Sequence, residues 1–194
     1  MGKRILIIQG HPDPEGVHYG HALAEAYAGA AREAGHEVEI LPVAKLEFGI
    51  LRTQQEWTRG EAAPDIQKAQ AAIARADHLV LIYPLWLGSM PALVKGFLEQ
   101  TLRPGFAVGH PDKPGHYAKL LKGKSARIVV TMGMPAFIYR WFFRAHSLKS
   151  LERNVLKFCG IKPIRESLIG MVEGSAAHRE NWLEKMRTLG RMAA

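Results

Sequence analysis

Short, continuous apolar runs alternate along the chain with longer stretches in which apolar residues recur every three or four positions. Ile5-Leu6-Ile7-Ile8, Leu79-Val80-Leu81-Ile82 and Ile128-Val129-Val130 lack the in-out alternation of a half-exposed sheet, so they read as parallel strands covered on both faces. Strands are predicted over residues 4–9, 37–41, 78–83 and 126–132, with a weaker one over 165–171. Between them lie helical periods. Ala22, Leu23, Ala26, Tyr27 and Ala30 form an apolar stripe that should end near Gly35, as glycine C-caps do. A second helix opens at Pro64-Asp65, with a proline and an anion in its first turn, and runs to about residue 76. Further helices are predicted over about 91–102, 147–159 (closed by Gly160) and 176–191. Five strands alternating with five helices predict one α/β domain over 1–194, built on a doubly wound parallel sheet with helices on both faces.

Residues 43–63 and 106–124 are too long and too rich in Gly, Pro and charge to be simple connections. They read as surface excursions that help build a site or a subunit contact.

The candidate chemistry gathers at strand ends. After the third strand, Tyr83-Pro84-Leu85-Trp86-Leu87 leads into Gly88-Ser89-Met90-Pro91 and a helix carrying Ala92, Leu93, Gly96 and Phe97. Pro84 should end the strand, Ser89 should cap the helix, and Pro91 should sit in its first turn. Leu85, Trp86 and Leu87 are then left at a carboxyl strand end, where such sheets bind ligands. Trp86 suits either a flat ring or packing beneath a neighbouring loop. The first strand likewise ends in Gln9-Gly10-His11-Pro12-Asp13, and Val17-His18-Tyr19-Gly20 opens a helix. Backbone N–H groups and a positive helix end make that turn an anion site. Glycines at 10, 16 and 20 do not fit the dinucleotide fingerprint, and no Gly-Lys-Ser/Thr follows them as in a phosphate loop. His11 and His18 are candidate phosphate donors; as solvated loop histidines they would do nothing, and a metal role has no spaced partner ligand. After the fourth strand Thr131-Met132-Gly133-Met134-Pro135 repeats the pattern of buried run and glycine turn. In a 2-1-3-4-5 strand order the first, third and fourth ends converge. A ligand would place its phosphate at residues 11–19 and its ring between Trp86 and the turn at Thr131.

Composition adds bounds. With 194 residues, 47% of them hydrophobic, the chain fills one core. A single cysteine, Cys159, excludes an internal disulfide, and Lys3-Arg4 runs straight into the first strand without a leader pattern, so a cytoplasmic protein is expected. The apolar stretch 79–94 is interrupted by Pro84, Gly88 and Pro91, which argues against a membrane span. The net charge of +8 is scattered, with mild concentrations at 113–124 and 140–153. It reads as a solvated face or as an attraction for anionic small molecules, and nucleic acid is not expected.

The chain resembles the flavodoxin-like NAD(P)H:quinone oxidoreductases, with their modulator-of-drug-activity and potassium-efflux-regulating relatives. The resemblance covers most of the chain. It rests on Gly10-His11-Pro12, Pro64-Asp65-Ile66, Ala76-Asp77-His78-Leu79-Val80, Tyr83-Pro84-Leu85-Trp86, Met90-Pro91-Ala92-Leu93-Val94-Lys95-Gly96, Pro104-Gly105-Phe106-Ala107 and Phe158-Cys159-Gly160. It implies a tightly but non-covalently bound flavin, FMN or FAD. His11, Val17, His18 and Tyr19 would hold the phosphate; Pro84, Leu85, Trp86 and Leu87 would lie along the isoalloxazine; and Thr131, Met132 and Gly133 would cover its other end. It further implies that a hydride passes from NAD(P)H through flavin N5 to a quinone-like acceptor by a ping-pong mechanism, in a homodimer. Tyr139 and His146 are the candidate catalytic donors, because relatives use a tyrosine and a histidine after the fourth strand, while the aromatic run 139–143 suits a dimer surface or the roof of a substrate pocket. Azo- or nitro-reduction, a one-electron carrier and a regulatory binding subunit stand as alternatives, although carriers of this fold are generally acidic. Two departures stand out. Relatives commonly carry Ser-Phe-Asn at His18-Tyr19-Gly20, so a histidine with a pH-dependent charge replaces hydroxyl and amide donors. They also often carry a second glycine where this chain has Met134-Pro135, and Pro135 offers no N–H to the ring.

Overall fold

The computed structural model describes residues 2–109 and 117–194. The predicted excursion at 106–124 and the basic stretch starting at 113 therefore lie in part outside the described residues. Five strands, β1 (Arg4–Gln9), β2 (Glu37–Pro42), β3 (His78–Pro84), β4 (Ser125–Thr131) and β5 (Ile164–Ile169), pair in parallel in the order β2-β1-β3-β4-β5. This is the expected architecture. Ile7 lies between Ile40 and Val80 in the ladder, and Leu81 faces Ile128.

Period-two alternation within each strand sorts the apolar residues into two layers. On one face Ile5, Ile7, Val80, Ile82 and Val129 pack with Leu23, Tyr27 and Met186, from α1 (Tyr19–Glu33) and α7 (Ala176–Arg191). On the other, Leu6, Ile8, Leu79, Leu81 and Ile128 meet Ile66, Ile73, Phe97 and Leu148. These come from α3 (Pro64–Arg75), α4 (Ala92–Thr101) and α5 (His146–Ser150). The α1–α7 approach is close enough to need Gly190, where a Cβ would stand 2.3 Å from the Tyr27 carbonyl oxygen. Gly190→Ala must push the two helices apart, at a cost of about 1–3 kcal/mol, which a drop in the urea unfolding midpoint at unchanged slope would register.

Pro84 is the last residue of β3, as expected: it pairs with Thr131, and just beyond it the Leu85 N–H donates to the Thr131 carbonyl at 2.8 Å. Other element ends depart from expectation in informative ways. Ser89 does not cap α4. Its backbone exchanges two hydrogen bonds with Trp86, 2.8 and 2.9 Å long, across a two-residue turn in which Leu87 and Gly88 both have positive φ, 46° and 76°. This is the primed-turn signature. Pro91 takes the N-cap position without a side-chain hydrogen bond, so it precedes the first helical turn. Within 43–63 a short helix forms, α2 (Gln54–Arg59), capped by Thr53. Gln100 donates to the Gly49 carbonyl at 2.7 Å and Arg103 to the Gly60 carbonyl at 2.8 Å, pinning this excursion to the end of α4. The predicted helix over 147–159 is α5, a π-helical stretch Leu151–Leu156, and α6 (Lys157–Cys159), closed as expected by Gly160 at φ 102°.

Candidate functional site

The loop leaving β1 folds back on itself through its histidines. His11 N–H donates to Gln9 Oε1 at 3.2 Å, Asp13 N–H to His11 Nδ1 at 3.2 Å, and Glu15 N–H to Asp13 Oδ1 at 3.0 Å. The His11 and His18 rings stack with centroids 3.6 Å apart, and His21, one helical turn further on, lies edge-on to both at 5.7 and 5.6 Å. His18 Nε2 reaches Asp13 Oδ2 at 2.7 Å, and His21 Nδ1 the Gly16 carbonyl at 3.0 Å. Position 16 must be glycine for this cluster to close, because a Cβ there would come 2.1 Å from His18 Nε2. Burial, then the neighbouring His18, pushes the His11 pKa below its ordinary value. The His18 hydrogen bond is the main reason that Asp13 falls to about 2.

These residues fit the phosphate of a flavin. His18 is the N-cap of α1, its side chain makes no capping bond, and no acidic residue occupies the first turn. The Tyr19 and Gly20 N–H groups that open this 15-residue helix thus have no partner among the described residues, beside a cluster of three imidazoles, and together these are donors a phosphate takes. Beneath the loop Gln9 is 3% exposed and its Nε2 lacks a hydrogen-bond partner among the described residues. Tyr19 contributes backbone only: its hydroxyl donates to the Arg179 carbonyl at 2.7 Å. Val17 projects fully into solvent.

The β3 and β4 ends complete the mouth. Trp86 is 51% exposed and meets the His11 ring edge-on at 6.2 Å, and Leu87 is wholly exposed on the turn. Thr131 is buried and joined to Leu85, and Met132 points into the core. Gly133 is exposed, with open space where a Cβ would lie. The structure therefore brings His11, His18, Leu85, Trp86, Thr131 and Gly133 to one end of the sheet.

His146 opens α5 and lines a cavity of about 720 Å³ with Trp86, Leu87, Met90, Lys95 and Val155. Tyr139 is not at the mouth. It is buried, with its hydroxyl 2.7 Å from Ser147 Oγ and accepting the Leu148 N–H at 3.2 Å, so it ties down the start of α5 beside His146. Sequence reasoning missed His21, Asp13 and Gln9. The three-residue spacing of His18 and His21 at a helix start is a signal that could have found the first of these. Among the described residues no group of three or more His, Cys, Asp or Glu side chains is arranged to hold a metal ion, and no helix is long and apolar enough to cross a membrane.

Comparison with known proteins bears on this geometry. Residues 3–189 match the Flavodoxin_2 family, described by its flavodoxin-like fold. An uncharacterized NAD(P)H oxidoreductase of Haemophilus influenzae is 30% identical over 169 residues, covering 85% of this chain and 82% of its own. An FMN-dependent NADH:quinone oxidoreductase of Ruegeria pomeroyi is 32% identical over a shorter span of 82 residues, 39% of this chain and 40% of its own. The structure of an NAD(P)H:quinone oxidoreductase from Methanothermobacter marburgensis superposes with a TM-score of 0.83 at 24% identity, covering 100% of both chains.

Proposed function

The chain belongs to the Flavodoxin_2 family of flavodoxin-like NAD(P)H:quinone oxidoreductases, and on that premise we propose that it holds flavin mononucleotide at the β1–β3–β4 mouth and uses NAD(P)H to reduce quinone-like acceptors. The observation that carries this reading is the uncapped start of α1 and its cluster of three histidines, set beside the exposed face of Trp86. A flavin bound there supplies hydride transfer at N5, taken from NAD(P)H and passed in a second half-reaction to the acceptor. The FMN-dependent relative supports the mononucleotide over FAD.

Each residue then has a physical task. His11, His18 and the first N–H groups of α1 neutralise the phosphate, with His21 behind them. The Leu85 to Leu87 turn, held rigid by its paired backbone bonds, and Trp86 flank the ring system. Gly133 leaves room for the ring's far edge because no side chain fills that space. The apolar cavity beside Trp86 excludes water and admits a flat acceptor, and His146 at its rim donates to an acceptor oxygen. Tyr139 acts at one remove, as a positioning residue that fixes the start of α5 through Ser147 and Leu148. A second copy of the chain covers the exposed Phe137 and Phe142, making a homodimer.

The test is direct. Full-length protein is mixed with FMN or FAD, freed of excess, and treated anaerobically with NADH or NADPH. Yellow protein that bleaches and regains its colour on adding a quinone supports the assignment, and rates with azo dyes rank the acceptors. Protein that retains neither flavin overturns it.

A further inference from the structure

The largest cavity among those described lies away from the mouth, between the helical stretch 146–159 and the edge strand β5. It measures about 830 Å³ and shares no lining residue with the cavity beside Trp86. Six cations line it: Arg140, Arg144, Lys149, Arg153, Lys157 and Arg165. Only two carboxylates accompany them, and each is already engaged, Glu166 by Arg140 at 2.5 Å and Glu152 by Lys157 at 2.6 Å. Arg144, Lys149, Arg153 and Arg165 have no carboxylate within ion-pair distance among the described residues. Like charges gathered around one hollow repel each other, an arrangement that a bound anion relieves.

The surrounding backbone is unusual in the same place. Two π-helical stretches, Ile138–Phe142 and Leu151–Leu156, border the cavity, and such insertions concentrate at functional sites. The wider turn of the second sets Glu152 against Lys157, five residues on, and so engages the single carboxylate of that stretch. At the lip, Arg144 and Ala145 are both left-handed, with φ of 53° and 48°, a conformation non-glycine residues hold only when the surroundings enforce it. Trp141, also at the lip, is 77% exposed and offers a face on which a planar ring can stack.

We propose that this cavity is a binding site for a phosphorylated small molecule, with Arg144, Lys149, Arg153 and Arg165 taking a di- or polyphosphate and Trp141 a ring attached to it. The guanidinium forks suit phosphate oxygens in bidentate geometry. A hollow of about 830 Å³ matches a small molecule such as a nucleoside diphosphate rather than a nucleic acid strand, which tracks an extended groove.

Inorganic pyrophosphate and then ADP are titrated into the purified, flavin-loaded full chain by calorimetry. The proposal requires saturable one-to-one uptake, weakened by raising salt, and tighter for ADP than for pyrophosphate. It also requires at least tenfold weaker pyrophosphate binding in the R144A/R153A variant, with flavin content unchanged. Arg153→Lys, which keeps the charge and loses the fork, should fall between. Trp141→Leu should remove the advantage of ADP and leave pyrophosphate affinity alone. Equal affinity in wild type and R144A/R153A would assign the binding elsewhere and overturn the proposal. So would the absence of saturable uptake, or preferential binding of an oligonucleotide that pyrophosphate does not displace.

Discussion

His11→Ala combined with His18→Ala is expected to weaken FMN uptake about a hundredfold, measured by quenching of flavin fluorescence as protein is added. The two imidazoles, stacked 3.6 Å apart at the start of α1, are the cluster's charge-assisted donors to a phosphate. Hydrogen bonds of that kind contribute about 1.5–3 kcal/mol each, and partial exposure holds the pair to about 3 kcal/mol, or two decades of affinity. Asp13→Asn should act in the opposite direction, because Asp13 holds His18 at 2.7 Å and brings a negative charge to the phosphate site. The pH dependence has a definite sign. Burial and the neighbouring His18 keep the free protein's His11 pKa below its ordinary value, so His11 is neutral at pH 7, whereas a phosphate dianion favours its protonated form. Affinity must therefore rise as pH falls from 8.5 towards 7, a range in which the phosphate itself stays largely dianionic. A wild-type profile as flat as that of the double variant would show that the histidines do not hold the phosphate.

The fold was legible because its strands are written in continuous apolar runs whose ends are marked by Gly and Pro, and a fully buried parallel sheet leaves that trace. Helix ends carried by glycine C-caps and an N-terminal proline were legible for the same reason: the signal is local. Capping at α4 was not, because the Ser89 backbone is drawn into the turn with Trp86, and a hairpin pairing competes with a helix cap for the same residue. The π-helical stretches left no trace in the periodicity, which cannot distinguish a 3.6-residue turn with one extra residue from ordinary irregularity. At the site, His11, His18 and Trp86 were readable as loop residues at carboxyl strand ends, where position alone implies ligand contact. Tyr139 was not, since whether an aromatic side chain turns inward depends on its tertiary neighbours: here its hydroxyl replaces a missing cap at the start of α5. His146 sits on that same start and does face a cavity shared with Trp86, a juxtaposition set by the turn between β4 and α5 and invisible to spacing.

His78 makes the protein acid-sensitive in a narrow window. It begins β3, in register with Ile5 on one side and Ser125 on the other, and is 2% exposed. Its Nδ1 shares a 2.7 Å hydrogen bond with Ser125 Oγ, while its Nε2 has no partner among the described residues. Burial first, then the positive charges of Lys3, Arg127 and Arg165, push its pKa down to about 4. An unfolded histidine titrates near 6.5. Between those values the unfolded chain binds a proton that the folded chain refuses, so the contribution of neutral His78 is complete above pH 6.5 and disappears as pH falls through 4. The gap from 6.5 to about 4, at 1.36 kcal/mol per pH unit, amounts to about 3 kcal/mol. Urea unfolding at intervals between pH 7.5 and 4.5 measures it, in a range mostly above the titration of carboxylates such as Asp13 and Asp77, which the fold holds below their ordinary values. His11 is shifted in the same direction, so the decisive comparison is with His78→Asn, which retains a hydrogen-bonding group for Ser125 and cannot titrate. The variant should be less stable at pH 7.5, yet lose stability with a slope shallower by up to one proton. Parallel slopes in the two proteins would mean that the buried imidazole accepts its proton without unfolding the sheet around it.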